Sequence, residues 1–256
     1  RLGYEGLATV PGAKVTVPVT DLTMPVDFHF PHVAAGTNFS ELAEEVYLDD
    51  PPFLFPKLAQ ASAWNAPVMF HPRLDFEAEL AMVPLDDIDS PDDHVDYALV
   101  LANDFTDRWT LVRQLDLGAP MGTTGFAAGK GRASFLPTGY LFVIPRSAAF
   151  YETITVELAV NGEARQRFSA DDMILKINDI VRQAFDQSER TFFDGDEPVR
   201  LLPQRSIPRG TLILTGTAAG VLFKPVNLWN QGFYLGRGDR VITRATFLGH
   251  LDNQIK

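Results

Sequence analysis

Alternation of apolar and polar positions at a period of two dominates the chain and predicts a strand-rich fold. Val15, Val17 and Val19 alternate across Ala13 to Val19. From Leu74 to Val83 the even positions are apolar, while 75, 77 and 79 are acidic. Tyr97 to Leu101 is a short buried run, and so is Leu141 to Ile144, which Pro145 stops. Ile154, Val156, Leu158 and Val160 share one face of a hairpin over Glu152 to Arg167. Its Asn161-Gly162 pair suits a type I′ turn, because both residues accept positive φ. Leu212 to Thr215 and Arg240 to Phe247 complete the strands. Helical periodicity is confined to two places. Ser169 predicts the N-cap of a helix through Phe185, with Asp172 beside its N-terminal dipole and Met173, Ile177, Ile180, Val181 and Ala184 facing the core. A shorter helix is expected over Ser40 to Val46. Gln187 to Pro208 has no clear period and reads as a long loop, a candidate subunit contact. Many strands with few helices imply a β-rich α+β fold rather than alternating βαβ units.

The acidic positions bring chemistry to this pattern. In an extended strand, residues 75, 77 and 79 point to one face, and alternate Cα atoms lie roughly 6.5–7 Å apart. Glu side chains can converge on one ion from there, and Asp104 follows one strand and turn later. Crowded carboxylates raise one another's pKa values, and a cation reverses that. Oxygen-only donors select Mg²⁺, Mn²⁺ or Ca²⁺ over Zn²⁺. The same alternation is also the ordinary mark of a strand with one solvated face, and Asn103-Asp104 is ordinary turn chemistry. The pattern alone leaves both readings open.

Composition narrows the function classes. The chain has 256 residues, 46% hydrophobic and 21% charged, which is one large domain or two small ones. No apolar run is long enough to span a membrane, and the first residues carry no signal-peptide pattern. A net charge of -11 without a basic stripe argues against nucleic acid. With no Cys, disulfides, thiolate metal sites and a Cys nucleophile are excluded, in keeping with a cytoplasmic protein. There is no Gly-x-Ser-x-Gly elbow, P-loop or His-Glu-x-x-His. Gly129-Lys130-Gly131 is too short to suggest a dinucleotide site.

Several ordered motifs resemble the fumarylacetoacetate hydrolase superfamily. Gly36-Thr37-Asn38-Phe39 with Glu45 resembles its lid-helix motif, and Pro56-Lys57 its lysine motif. Leu74 to Leu80 is similar to its acid-bearing strand, and Asn103-Asp104-Phe105-Thr106-Asp107-Arg108 to its third-ligand motif. Lys130-Gly131 with Phe135-Leu136-Pro137, then Asn161-Gly162-Glu163 with Arg165-Gln166, follow in the family's order. Leu214 to Val221, Gly238-Asp239 and Leu248-Gly249 close the set. The resemblance spans about residues 30 to 253 and implies a mixed β-roll or barrel with a few flanking helices. An N-terminal segment over 1–25, with a strand, would precede a catalytic domain over 26–256. The resemblance also implies a homodimer, while the acidic charge and the lack of a long apolar run argue against nucleic acid and membrane as partners. Its metal ligands would be Glu77, Glu79 and Asp104, holding Mg²⁺ or Mn²⁺, with Ca²⁺ compatible. Lys57 and Lys130 would face the oxygens of a small oxo-acid substrate, with Arg108, Gly216 and Thr217 binding it. The reaction implied is C–C hydrolysis of a 2-oxo or 1,3-dicarbonyl acid through a metal-stabilised enolate. Isomerisation, hydration, decarboxylation and binding without turnover are the alternatives.

The chain departs from that pattern at two places. Many members carry a His three residues before the lid-helix Glu, and the pair serves as general base. Here Glu45 is preceded by Leu42, which moves no proton. Glu45 and His32 are put forward as catalytic residues beside Lys57 and Lys130, with His29, Glu41, Glu44 and His71 as further candidate bases; His94 and His250 read as surface residues. After Lys130 the chain has Arg132 and Ala133-Ser134 where an aromatic and an Asp are common, and Phe223 to Phe233 is aromatic-rich. Both differences suggest a larger or less polar substrate than a simple dicarboxylate.

Overall fold

The computed structural model describes residues 16–45 and 51–256. In chain order its strands are β1 (His29–Gly36), β2 (Phe53–Lys57), β3 (Leu74–Asp75), β4 (Ala78–Pro84), β5 (Tyr97–Asn103) and β6 (Thr106–Asp107). After them come β7 (Thr155–Val160), β8 (Glu163–Ser169), β9 (Thr191–Asp194), β10 (Glu197–Arg200), β11 (Thr211–Leu214), β12 (Arg240–Ala245) and β13 (Gly249–Gln254). The α-helices are short: α1 (Ser40–Glu45), α2 (Arg108–Gln114), α3 (Phe126–Lys130) and α4 (Ile177–Asp186). None is long and apolar enough to cross a membrane.

Two larger sheets organise the fold. One runs β2-β1-β11-β4-β5, with β1 and β11 parallel and the other neighbours antiparallel. The other, β13-β12-β7-β8, is antiparallel throughout. The β-rich class with few helices is as expected, but neither sheet closes on itself, so the roll is not a hydrogen-bonded barrel. In the first sheet β2, β4, β5 and β11 are buried at every position. The acidic face of the 74–83 run is therefore inside the protein, not solvated. In the second sheet β7 alternates buried and more exposed positions, as its sequence predicts. The β7–β8 turn at Asn161-Gly162 has φ of 52° and 86°, the left-handed pair that a type I′ turn needs.

Four expectations are corrected. Residues 13–15 lie outside the described residues, 16–18 are irregular and Val19–Asp21 is a 3₁₀ turn, so no strand is seen over 16–19. Leu141–Ile144 makes only a bridge, in which Val143 exchanges hydrogen bonds with Leu99 before Pro145 removes the next donor. The helix foreseen from Ser169 is interrupted. Ser169 caps a 3₁₀ turn over Ala170–Asp172, and α4 begins only at Ile177. Asn38 lies across the gap: its carbonyl accepts from Ile174 N–H, and its side chain bonds both backbone groups of Leu175. Those bonds replace helical ones. Within the supposed loop after Gln187, β9 and β10 form a hairpin that turns at Gly195, φ 63°.

Candidate active site

Backbone pairing between β4 and β5 assembles the acids. Ala78 pairs with Asn103, which places Glu77 opposite Asp104. Asp104 N–H donates to the Glu77 carbonyl at 2.8 Å, and Asn103 Oδ1 accepts from Glu77 N–H at 3.1 Å. Glu77, Glu79 and Asp104 are buried, and each offers an oxygen within 4.8 Å of the others. Asp75 is not part of this set. The chain leaves β3 before β4 begins, and β3 pairs with β6 instead. Asp75 accepts from Arg108 at 2.8 Å and from the N–H groups of Leu222 and Phe223.

Three cations are packed against the acids. Lys130 Nζ donates to Glu77 at 2.7 Å, Asp104 at 3.0 Å and Thr106 Oγ1 at 2.8 Å. Arg108 bridges Asp75 and Glu77, the latter at 2.5 Å. Lys57 donates to Asp104 at 2.5 Å and to the carbonyls of Lys130 and Phe135. With every group ionised, the carboxylates of Asp75, Glu77, Glu79 and Asp104 outnumber these cations by one.

The acids answer burial differently. Burial and the neighbouring carboxylates of Asp104 and Glu77 push the Glu79 carboxyl well above its usual range. Burial acts on Glu77 as well, but Lys130 and Arg108 outweigh it and hold Glu77 low. Burial opposes the charge on Lys130, yet Asp104 and Glu77 outweigh it and raise its pKa. For Lys57 burial prevails, and its ammonium titrates lower than usual. Glu79 Oε2 accepts from Gly216 N–H at 2.7 Å, while Oε1 is buried without a partner. Gly216 reaches this position with φ 86°, and a Cβ there would lie 3.0 Å from that of Asn38. A buried, unpartnered carboxylate oxygen in an all-oxygen set with excess negative charge fits a hard divalent cation.

A cavity of about 410 Å³ opens above this cluster. Glu77, Arg108, Lys130, Thr217 and Thr37 line its polar end. Leu42, Phe53, Phe55, Phe126, Phe223 and residues of α2 line the rest. Thr37 has φ 50°, a costly conformation for a β-branched residue, and its buried hydroxyl is unpartnered. Thr217 Oγ1 donates to the Ala78 carbonyl and accepts from Gln166, whose Oε1 takes Ala78 N–H. Gln166 thereby ties β8 to the start of the acid strand.

Other predicted residues lie elsewhere. Lys57 sits behind Asp104 and does not face the cavity. Gly216 supports Glu79. His32 is fully buried in β1, its Nδ1 accepting from Leu212 N–H at 3.3 Å and its Nε2 unpartnered. Burial, then Lys57 and His29, pull its pKa down to about 3. Glu45 accepts from Gly220 N–H and Lys224 Nζ, which locks α1 to the 216–224 loop. Among the described residues no His, and none of Glu41, Glu44 and Glu45, lines the cavity. His71 packs on Phe135 beside Asp107. His250, expected at the surface, is held between Trp64 and Tyr140. Arg132 bonds Asp107 and Thr110 instead of shaping the cavity, and of the aromatics in 223–233 only Phe223 reaches it. Sequence reasoning missed α2, whose Leu111 and Val112 line the cavity with Leu115 just after it. Asp107, which caps Thr110 N–H at 2.9 Å ahead of this apolar spacing, was the available signal.

The family model of the fumarylacetoacetate (FAA) hydrolase C-terminal region matches residues 31–256. The chain belongs to this family. With it comes membership of a group of enzymes whose reactions are diverse. The chain is 27% identical over 241 residues to the oxaloacetate tautomerase YisK of Bacillus subtilis, covering 87% of this chain and 68% of that protein. A probable 2-hydroxyhepta-2,4-diene-1,7-dioate isomerase from Mycobacterium abscessus superposes with a TM-score of 0.66 at 25% identity, covering 93% of this chain and 80% of that one. Fumarylpyruvate hydrolase from Pseudomonas aeruginosa, solved with Mn²⁺ and pyruvate, shares the fold (TM-score 0.66, 19% identity, 95% and 99% covered). This family therefore includes relatives that cleave and relatives that only rearrange.

Proposed function

We propose that this protein is a divalent-metal-dependent tautomerase or isomerase that interconverts the enol and keto forms of a 2-oxo acid. The observation that carries this reading is Leu42. It lines the cavity where a lid-helix base would stand, and Glu45, the other half of such a pair, is held by Gly220 and Lys224. Hydrolytic cleavage needs a group that activates water, whereas tautomerisation moves a proton from one substrate atom to another and consumes no water. A relative named as a tautomerase supports the same choice.

Glu77, Glu79 and Asp104 would hold Mg²⁺ or Mn²⁺, and Glu79 Oε1 has a free lone pair for it. When bound, the ion supplies a Lewis acid for the substrate's carboxylate and keto oxygens. It also turns the cluster's excess negative charge into an excess positive one, which suits an anionic head group. Arg108 and Lys130 fix the position of that head. Lys130 donates to Glu77 at 2.7 Å and holds that carboxylate in place beside the substrate. The homodimer implied by the resemblance belongs to the same proposal.

The test is product analysis. Protein loaded with Mg²⁺ or Mn²⁺ is mixed with freshly dissolved enol oxaloacetate and with an acylpyruvate. Accelerated loss of enol absorbance with unchanged mass is the expected result. Two carbonyl fragments would reinstate hydrolysis, and released CO₂ would point to decarboxylation; either overturns tautomerisation.

A further inference from the structure

We infer that the substrate carries an apolar chain on its oxo-acid head, so that the cavity selects alkyl- or aryl-substituted 2-oxo acids over dicarboxylates. The inference rests on the reading of an oxo-acid head held at the acidic cluster. The cavity's charged lining residues are Glu77, Arg108 and Lys130 among the described residues. All three lie at one end, and both cations already bond Glu77. A second carboxylate along the wall would meet no cation among the described residues and would lie against apolar side chains, where burying its charge costs. The volume, about 410 Å³, falls within the range of roughly 300–1,000 Å³ typical of cavities for drug-sized ligands. A small dicarboxylate would leave apolar wall in contact with water.

The wall is built rather than incidental. Phe53, Phe55 and Phe126 pack ring against ring, with centroids 4.8, 5.2 and 6.3 Å apart. Gly36 lets the Phe53 ring pack closely on β1, where a Cβ would come within 2.3 Å of that ring. Gly129 does the same for α3 against α2, where a Cβ would lie 2.6 Å from Leu111 Cβ. The wall begins beside the charged end, because Lys130 Nζ is 5.7 Å from the Phe55 ring centre. Leu115, Met121 and the exposed Leu117 extend it toward the mouth.

N-alkyl oxamates present the carboxylate and adjacent carbonyl of a 2-oxo acid and do not react. Their binding to the Mn²⁺-loaded protein is measured by calorimetry for chains from methyl to hexyl. Affinity is expected to rise about fourfold per methylene over the first few carbons, the gain for burying a CH₂ group. A terminal carboxylate on a chain of equal length should abolish that gain. Met121→Lys, at a half-buried position, should favour the carboxylate-tipped ligand over the alkyl one. Flat affinity along the series, no binding at any length, or tighter binding of the carboxylate-tipped ligand to the unaltered protein overturns the inference. So does an unchanged preference in a folded Met121→Lys protein. Enol turnover without a chain-length gain sinks this inference and spares tautomerisation. A chain-length gain without enol turnover does the reverse.

Discussion

At the charged end of the cavity, Arg108 and Lys130 are each held by two carboxylates, and Lys57 behind them by Asp104 and two backbone carbonyls. At the other end, Leu111 of α2, Gly129 of α3 and the Phe53–Phe55–Phe126 cluster pack through apolar side chains and close backbone approach. The charged end is a set of mutually dependent positions, where removing one member strands the others in a low dielectric. The apolar end is a volume, where a methyl more or less changes fit by degrees.

The contrast breaks most visibly at Glu79. Glu79→Gln keeps the acceptor for Gly216 but removes the charge that would hold a cation. We expect turnover to fall about 10³-fold, equivalent to about 4 kcal/mol of lost charge stabilisation, and Mn²⁺ affinity to fall in calorimetry. Near-normal rates in this variant would mean that the acids are structural only.

Next comes Lys130. In Lys130→Met the carboxylates of Glu77 and Asp104 lose their shared partner. Denaturant unfolding without metal should show a loss of about 3–5 kcal/mol, and added Mg²⁺ should recover more stability than it adds to the parent. A loss below about 1 kcal/mol would show that the charged end is not a coupled cluster.

How far the sequence told these ends apart depends on burial. Strand β7 packs one face and alternates, so its register and its Asn161-Gly162 turn could be read directly. Strands β2 and β11 are buried on both faces, so alternation carried less information, and β2 went unrecognised. In the 74–83 run, alternation correctly grouped Glu77 with Glu79. It also grouped Asp75 with them, because nothing local shows that the chain changes partner strand between Asp75 and Ala78. The ligand set with Asp104 came from motif order, and the structure brings those three together. Thr37's strained backbone, the displacement of Lys57 behind Asp104 and the latch on Glu45 depend on contacts distant in sequence, which no local pattern carries.

His32 sharpens where the charged end stops. Its pKa near 3 lies below the ordinary 6.5, so the neutral ring is a stabilising feature above pH 6.5. That stability is lost as pH falls toward 3, because the unfolded chain takes up the proton first. We expect a loss of about 2 kcal/mol by pH 5 from this residue, read as the unfolding midpoint against pH. In His32→Gln that slope should flatten, while the pH profile of turnover stays unchanged. A shifted turnover profile would return His32 to the list of bases.

The smallest effect is expected at Glu45, and it discriminates most between reactions. The carboxylate is part-buried, whereas its partner Lys224 is 47% exposed, so the pair is worth about 1 kcal/mol or less. Glu45→Gln keeps an acceptor for Gly220 N–H and so keeps α1, with Leu42, against the cavity. The rate should stay within about threefold of the parent, since a tautomerase of this design draws no proton from that position. A general base would behave otherwise, because its removal ordinarily costs about 10²–10⁴ in rate. A loss of that size, measured on the same enol substrate, would place Glu45 in the chemistry despite its bonds to Gly220 and Lys224. The distinction between a charged end that reacts and an apolar end that selects would then fail at α1, whose Leu42 lines the cavity.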